Sequence, residues 1–126
     1  EQIGDILAGR PPHFAVWSGD DALAMPTVAM GAEGLISVLG NAFPKPLTAM
    51  VEQASFGQTH EARSTHAALK PLMKLMFEEG NPAGIKAAMN HLGLCEGDVR
   101  LPLTKASSAL KEKLYAAIAA LEVSAH

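Results

Sequence analysis

Asp20 and Asp21 stand side by side in the run SGDD, after an apolar stretch that ends in Trp17 and before a second that ends at Val38. Adjacent carboxylates on one turn have two uses. The chemical one is a pocket carboxylate that orients an amino group or a water, or general acid/base work by a coupled pair. The architectural one is a helix cap, in which one acid accepts free backbone N–H groups and its neighbour is solvated. The residues alone leave both open. Ile36, in GLISV, reads by its side chain as strand core, but its backbone carbonyl is an acceptor that could face a ligand.

Other reactive types give less. His13, His60, His66, His91 and His126 show no i, i+4 pairing and no cysteine companion, so no metal and no other cofactor is expected. Ser18 is not in a G-x-S-x-G elbow, and Gly31 and Gly34 do not form a phosphate loop. A Schiff-base lysine belongs at the centre of a strand, and Lys45, Lys70, Lys74 and Lys86 all fall on or beside helical patterns. The single cysteine, Cys95, reads as a small packed thiol in a reducing compartment.

The elements that must position the acids follow from periodicity. Residues 1 to 8 look like the tail of a helix whose beginning is missing, broken by Gly9, Pro11 and Pro12. HFAVWSG predicts a buried strand, and Asp20 and Asp21 open a helix to about Met30, which Pro26 should bend or shift. Gly31 to Gly34 is a turn and Leu35 to Val38 a second strand. Leu47, Met50, Val51 and Ala54 mark a helix face, ended by Gly57. A longer helix is expected from about Thr59 to Glu78, with a kink at Pro71. Asn81 as N-cap, Pro82 as first helical residue and Gly93 as C-terminal cap predict a helix over about 82–92. After an irregular stretch over 94–105, a final helix starts near Ser107 and shows Leu110, Leu114, Ile118 and Leu121 as a stripe.

Strand, helix, strand is the unit of a parallel α/β fold, and two parallel strands alone leave two unpaired edges. A (β/α) barrel closes those edges with eight units of about 30 residues, and its active site lies in the loops after the strands. The loops to inspect are therefore Gly19 to Asp21 and Val38 to Asn41.

Composition narrows the class. Hydrophobic residues make up 48% of the 126 and charged residues only 18%, so much of the surface should be buried against something. A net charge of −3 with singly spaced lysines and arginines argues against nucleic acid as a partner. No apolar run nears about 18 residues, so no membrane partner is expected and the chain reads as cytoplasmic.

SGDDA, followed by GLISVLGN, then FEEGNPAGIKAAMNHLGL and RLPL, resembles the C-terminal part of the dihydrodipicolinate synthase family over about Phe14 to Leu121. The resemblance implies the last two β/α units of a TIM (β/α)8 barrel over 1–56, with the end of helix six, and a C-terminal helical domain over 57–126. It implies a lyase of lysine biosynthesis in which pyruvate forms an imine with a lysine on strand six. The enamine then attacks L-aspartate 4-semialdehyde. The pocket elements carried over are Gly19, Asp20, Asp21 and the backbone of Ile36. The family's lysine and tyrosine fall before Glu1, so the chain is expected to be inactive by itself. The family is commonly tetrameric, and a homo-oligomer is expected. In EGNPAGIK, Gly84 replaces the second proline of PNPxPxK, a change at a helix start outside the pocket. Sister aldolases acting on N-acetylneuraminate or keto-deoxy sugar acids, or a non-catalytic helical interaction module, are the rival readings.

Overall fold

In the computed structural model, residues 1–124 are described; His126 lies outside them. The order is α1 (Gln2–Gly9), β1 (Trp17–Ser18), α2 (Asp21–Ala29), β2 (Gly34–Leu35), a 3₁₀ turn (Leu39–Asn41), α3 (Pro44–Ser55), α4 (Thr59–Leu75), α5 (Ala83–His91) and α6 (Ser108–Ser124). β1 and β2 are parallel, with Trp17 opposite Gly34 and Ser18 opposite Leu35, and α2 is the crossover between them.

Both strands are shorter than the apolar runs that predict them. Each strand has a single neighbour among the described residues, so the ladder extends only as far as that neighbour follows it. Upstream of β1, the Phe14 N–H donates to the Pro11 carbonyl at 3.1 Å and His13 takes φ 67°, so 11–14 is a turn rather than strand. Downstream of β2, Val38 already has helical backbone angles (φ −83°, ψ −51°) and leads into the 3₁₀ turn.

Side-chain carboxylates take over where the ladder stops. At the entry end, Glu33 accepts the Val16 N–H at 2.7 Å and binds the Arg10 guanidinium through both oxygens, at 2.6 and 2.9 Å. The Val16 N–H, with help from Arg10, holds the Glu33 carboxyl below the usual carboxylate range. At the exit end, Asp21 plays the corresponding part.

The core runs without a break from α2 through α3 and α4 to α6. Leu39, Met50, Leu69, Leu72, Met76, Leu110, Leu114 and Ile118 have almost no solvent exposure. On α4 and its C-cap (69, 72, 76) and on α6 (110, 114, 118) they recur three or four residues apart, the spacing of helix faces packed on one another. Leu121 packs half-buried at the end of the α6 stripe, while Phe77, just past the end of α4, is 51% exposed.

Three boundaries differ from the sequence expectation. α4 stops at Leu75, because Phe77, Glu78 and Gly80 donate to carbonyls three residues back and tighten the chain into turns. Pro82, not Asn81, occupies the N-cap position of α5, and the Asn81–Pro82 peptide is cis. Pro26 leaves the start of α2 at Asp21, since Asp20 anchors it. Gly57 and Gly93 end their helices at φ +71° and +72°, as a left-handed terminator requires.

Gly84 is part of the packing and not only of a helix start. A Cβ there would lie 2.6 Å from the Met76 carbonyl oxygen and 2.9 Å from that of Leu75, so α5 approaches the end of α4 more closely than a side chain allows. Nearby, Glu79 accepts the Ser107 N–H at 2.8 Å together with its hydroxyl, and the Ser107 hydroxyl caps α6 by accepting the Leu110 N–H at 3.1 Å. The ring of His91, on the last turn of α5, stacks on Tyr115 of α6 with centroids 3.9 Å apart.

Candidate active-site mouth

The two loops singled out above lie together at the carboxyl ends of the strands, and different anchors hold them. Ser18 is buried, and its hydroxyl donates to the Asp20 carbonyl at 2.9 Å, which sets the turn through the exposed Gly19. Asp20 then caps α2: one carboxylate oxygen accepts the Ala22 N–H at 2.8 Å and the Leu23 N–H at 3.3 Å. Its side chain stays at the surface.

Asp21 is not the solvated neighbour that the capping reading assigns to it. It is 3% exposed, and its carboxylate reaches across to the other loop. Oδ1 accepts the Ser37 hydroxyl, and Oδ2 accepts the Val38 and Leu39 N–H groups at 3.2 and 2.9 Å. Three donors on one buried carboxylate satisfy the backbone where the chain leaves β2 for the 3₁₀ turn. Ile36 lies just before this anchor. Its N–H donates to the Ser18 carbonyl at 2.9 Å, and the residue is 73% exposed, so it is not the buried strand core its side chain suggests.

The structure therefore brings Gly19, Asp20, Asp21 and Ile36 to one mouth, with Asp21 turned into the protein and the other three at its surface. An open cleft of about 510 Å³ adjoins it, in which Asp20 and Asp21 face Lys70, Met73, Lys74 and Phe77 of α4 and its terminal turn. Lys45, Lys70, Lys74 and Lys86 all lie on helices. No three histidine, cysteine, aspartate or glutamate side chains cluster for a metal among the described residues. Cys95 is a free, half-buried thiol. No described helix is long and apolar enough to cross a membrane. Ser37 escapes a search for chemistry-bearing types; its signal is a lone hydroxyl inside the apolar GLISV.

A family model described as the dihydrodipicolinate synthetase family matches residues 1–121. The chain belongs to that family. A 4-hydroxy-tetrahydrodipicolinate synthase of Azobacteroides pseudotrichonymphae is 42% identical over 118 residues, covering 94% of this chain and 40% of the relative. The dihydrodipicolinate synthase of Thermotoga maritima superposes with a TM-score of 0.92 at 34% identity, over 97% of this chain and 42% of that one. A synthase of Acinetobacter baumannii complexed with pyruvate gives 0.91 at 29% identity, over 96% and 42%. The chain thus spans about 40% of the length of the curated relatives it matches. Within the dihydrodipicolinate synthase fold, β1 and β2 with α2 and α3 are the last two β/α units of the barrel, and α4 to α6 are the helices that follow.

Proposed function

We propose that this chain forms one wall of the active site of a 4-hydroxy-tetrahydrodipicolinate synthase, which condenses pyruvate with L-aspartate 4-semialdehyde. Relatives about 40% identical over nearly the whole chain carry that name, and this likeness is the observation that carries the reading. In the reaction a lysine amine adds to the pyruvate ketone and water leaves, giving an imine. Loss of a methyl proton gives the enamine, whose carbon bonds to the aldehyde carbon of the second substrate, and the aldehyde oxygen takes up a proton.

The chain's own contribution is placement. Residues 1–56 supply the end of the barrel, with Gly19, Asp20, Asp21 and Ile36 at the pyruvate side of the mouth, and 57–124 belong to the helical domain. The two-residue ladder and the half-exposed Trp17 and Phe14 beside it favour association with the remaining strands of such a barrel or with a second copy. The enzyme works in the cytoplasm.

The test has two arms. The full-length synthase should prefer aspartate semialdehyde over N-acetylmannosamine or sugar aldehydes as acceptor; the reverse preference assigns it to a sister aldolase. The 126-residue chain alone should neither turn over nor be labelled by pyruvate and borohydride. Trapped pyruvate on Lys45 or Lys86 overturns the placement.

A further inference from the structure

Three donors already converge on the buried Asp21 carboxylate, and through them it ties the loop after β1 to the chain beyond Ile36 by several bonds at once. The last extended residue of that chain is held on both sides: the Ile36 N–H donates to the Ser18 carbonyl at 2.9 Å, and the next three residues are gripped by Asp21. The Ser37 hydroxyl passes the hold onward by accepting the Gly40 N–H at 2.7 Å. Asn41 closes the turn through its side-chain amide, which donates to the Val38 carbonyl at 3.0 Å.

We propose that Asp21 is a positioning residue: it acts through Ser37, Val38 and Leu39 to aim the Ile36 peptide at the substrate, and does not touch the substrate itself. The proposal rests on the reading that Ile36 lies beside the pyruvate site. The chemistry demands aspartate. Three donors converge on two oxygens, whereas an amide in the same place offers one acceptor oxygen and cannot accept from the Ser37 hydroxyl and the Val38 and Leu39 N–H groups as the carboxylate does. Glutamate at this position carries the carboxylate one methylene too far for a site already closed to solvent.

The test is a double-mutant cycle in the full-length synthase, read well below its unfolding temperature. Asp21→Asn should lower kcat/KM for pyruvate by about 10- to 100-fold, mainly through KM, because a displaced contact of an ångström costs that much. Ser37→Ala leaves Asp21, its charge and its bonds to the Val38 and Leu39 N–H groups in place, removes the hydroxyl's bond to Asp21 and its bond from the Gly40 N–H, and should show a smaller loss in the same direction. The double variant should be no worse than Asp21→Asn, since both act on one peptide. If Ser37→Ala is neutral while Asp21→Asn is impaired, or if the two losses multiply, Asp21 meets the substrate directly and the proposal falls.

Hydrogen exchange on the full-length protein separates this from a failure of the synthase reading. Asp21→Asn should speed exchange at the Val38 and Leu39 amides by more than about tenfold, as loss of an anchoring bond predicts, while α4 is unchanged. Unchanged exchange at these amides overturns the proposal whatever the activity. Accelerated exchange in a protein whose full-length form lacks synthase activity overturns the role toward pyruvate and leaves only a loop anchor.

Discussion

Around β1 and β2, a ladder two residues long is held at its ends by Glu33 and Asp21, each collecting several donors. In α4, α5 and α6, contact is made chiefly by Leu69, Leu72, Met76, Leu110, Leu114 and Ile118; the polar bonds there, such as Ser107 to Glu79, Thr65 to Gln53 and Lys113 to Glu78, lie at helix ends or on exposed or half-buried faces. The two regions respond to different physics. Apolar packing has no direction and sums over area, so it sets how stable the domain is while tolerating small shifts. A buried carboxylate with three donors is directional, so it decides where one peptide lies and fails when an oxygen becomes an amide.

This contrast can be broken by substitutions on either side. Leu114→Ala should cost the most, about 3–4 kcal/mol of folding free energy for emptying a fully buried site. Urea unfolding measures it, and a cost below 1 kcal/mol would mean that α6 does not anchor the core. Gly84→Ala should follow at about 2–3 kcal/mol, because the added Cβ meets backbone that cannot rotate away. A neutral Gly84→Ala variant in the same titration counts against the close approach of α5 and α4. Asp21→Asn should lose about 2 kcal/mol, less than either, while its effect on pyruvate KM exceeds theirs. The sharpest failure would be the opposite ranking, with Leu114→Ala raising KM and Asp21→Asn lowering only stability.

Acid should act on the anchors at the element ends before it reaches the apolar core. Glu33 and Glu79 have folded pKa values below 4.5, through the Val16 N–H and the Ser107 hydroxyl respectively. Their stabilisation is present above about pH 4.5 and is lost as pH falls through the lower folded values. His66 works from the other side, because burial and the nearby Lys70 lower its pKa from 6.5. The folded state resists its protonation, so His66→Gln should flatten the decline in stability as pH falls from 6.5. Parallel pH curves for His66→Gln and the parent would remove that residue from the acid response.

The smallest effect expected is at the strands. A Cβ on Gly34 would stand 2.9 Å from Cζ3 of Trp17, a side chain at the surface that can swing aside. Gly34→Ala should cost under about 1 kcal/mol and shift the emission of Trp17, the only tryptophan. A large loss of stability with unchanged emission would show that the strand pair, rather than the indole, gives way.

The helices were legible because their causes are local. Leu110, Leu114 and Ile118 lie on one face by spacing alone, and Gly57 and Gly93 terminate helices because only glycine takes that backbone readily. The cap made by Asp20 is equally local, two and three residues from its donors. What Asp21 does was hidden because its partners are 16 to 18 residues away, and nothing in SGDD says which acid turns inward. The strands read too long for a related reason: hydrophobicity reports burial, whereas a ladder needs a neighbour in register. The cleft across from Lys70 and Lys74 could not be read either, since α2 and α4 meet only in the folded chain.

Gly84 has a consequence for descent as well as for packing. The family resemblance places proline there in many synthases, and a proline brings a Cβ into the space held here by the Leu75 and Met76 carbonyls. Position 84 and the last turn of α4 therefore form an epistatic unit. A proline introduced alone is disfavoured in this background, whereas one exchanged together with the α4 terminus of a proline-bearing relative is tolerated. The joint between α4 and α5 therefore limits which substitutions either segment accepts by itself.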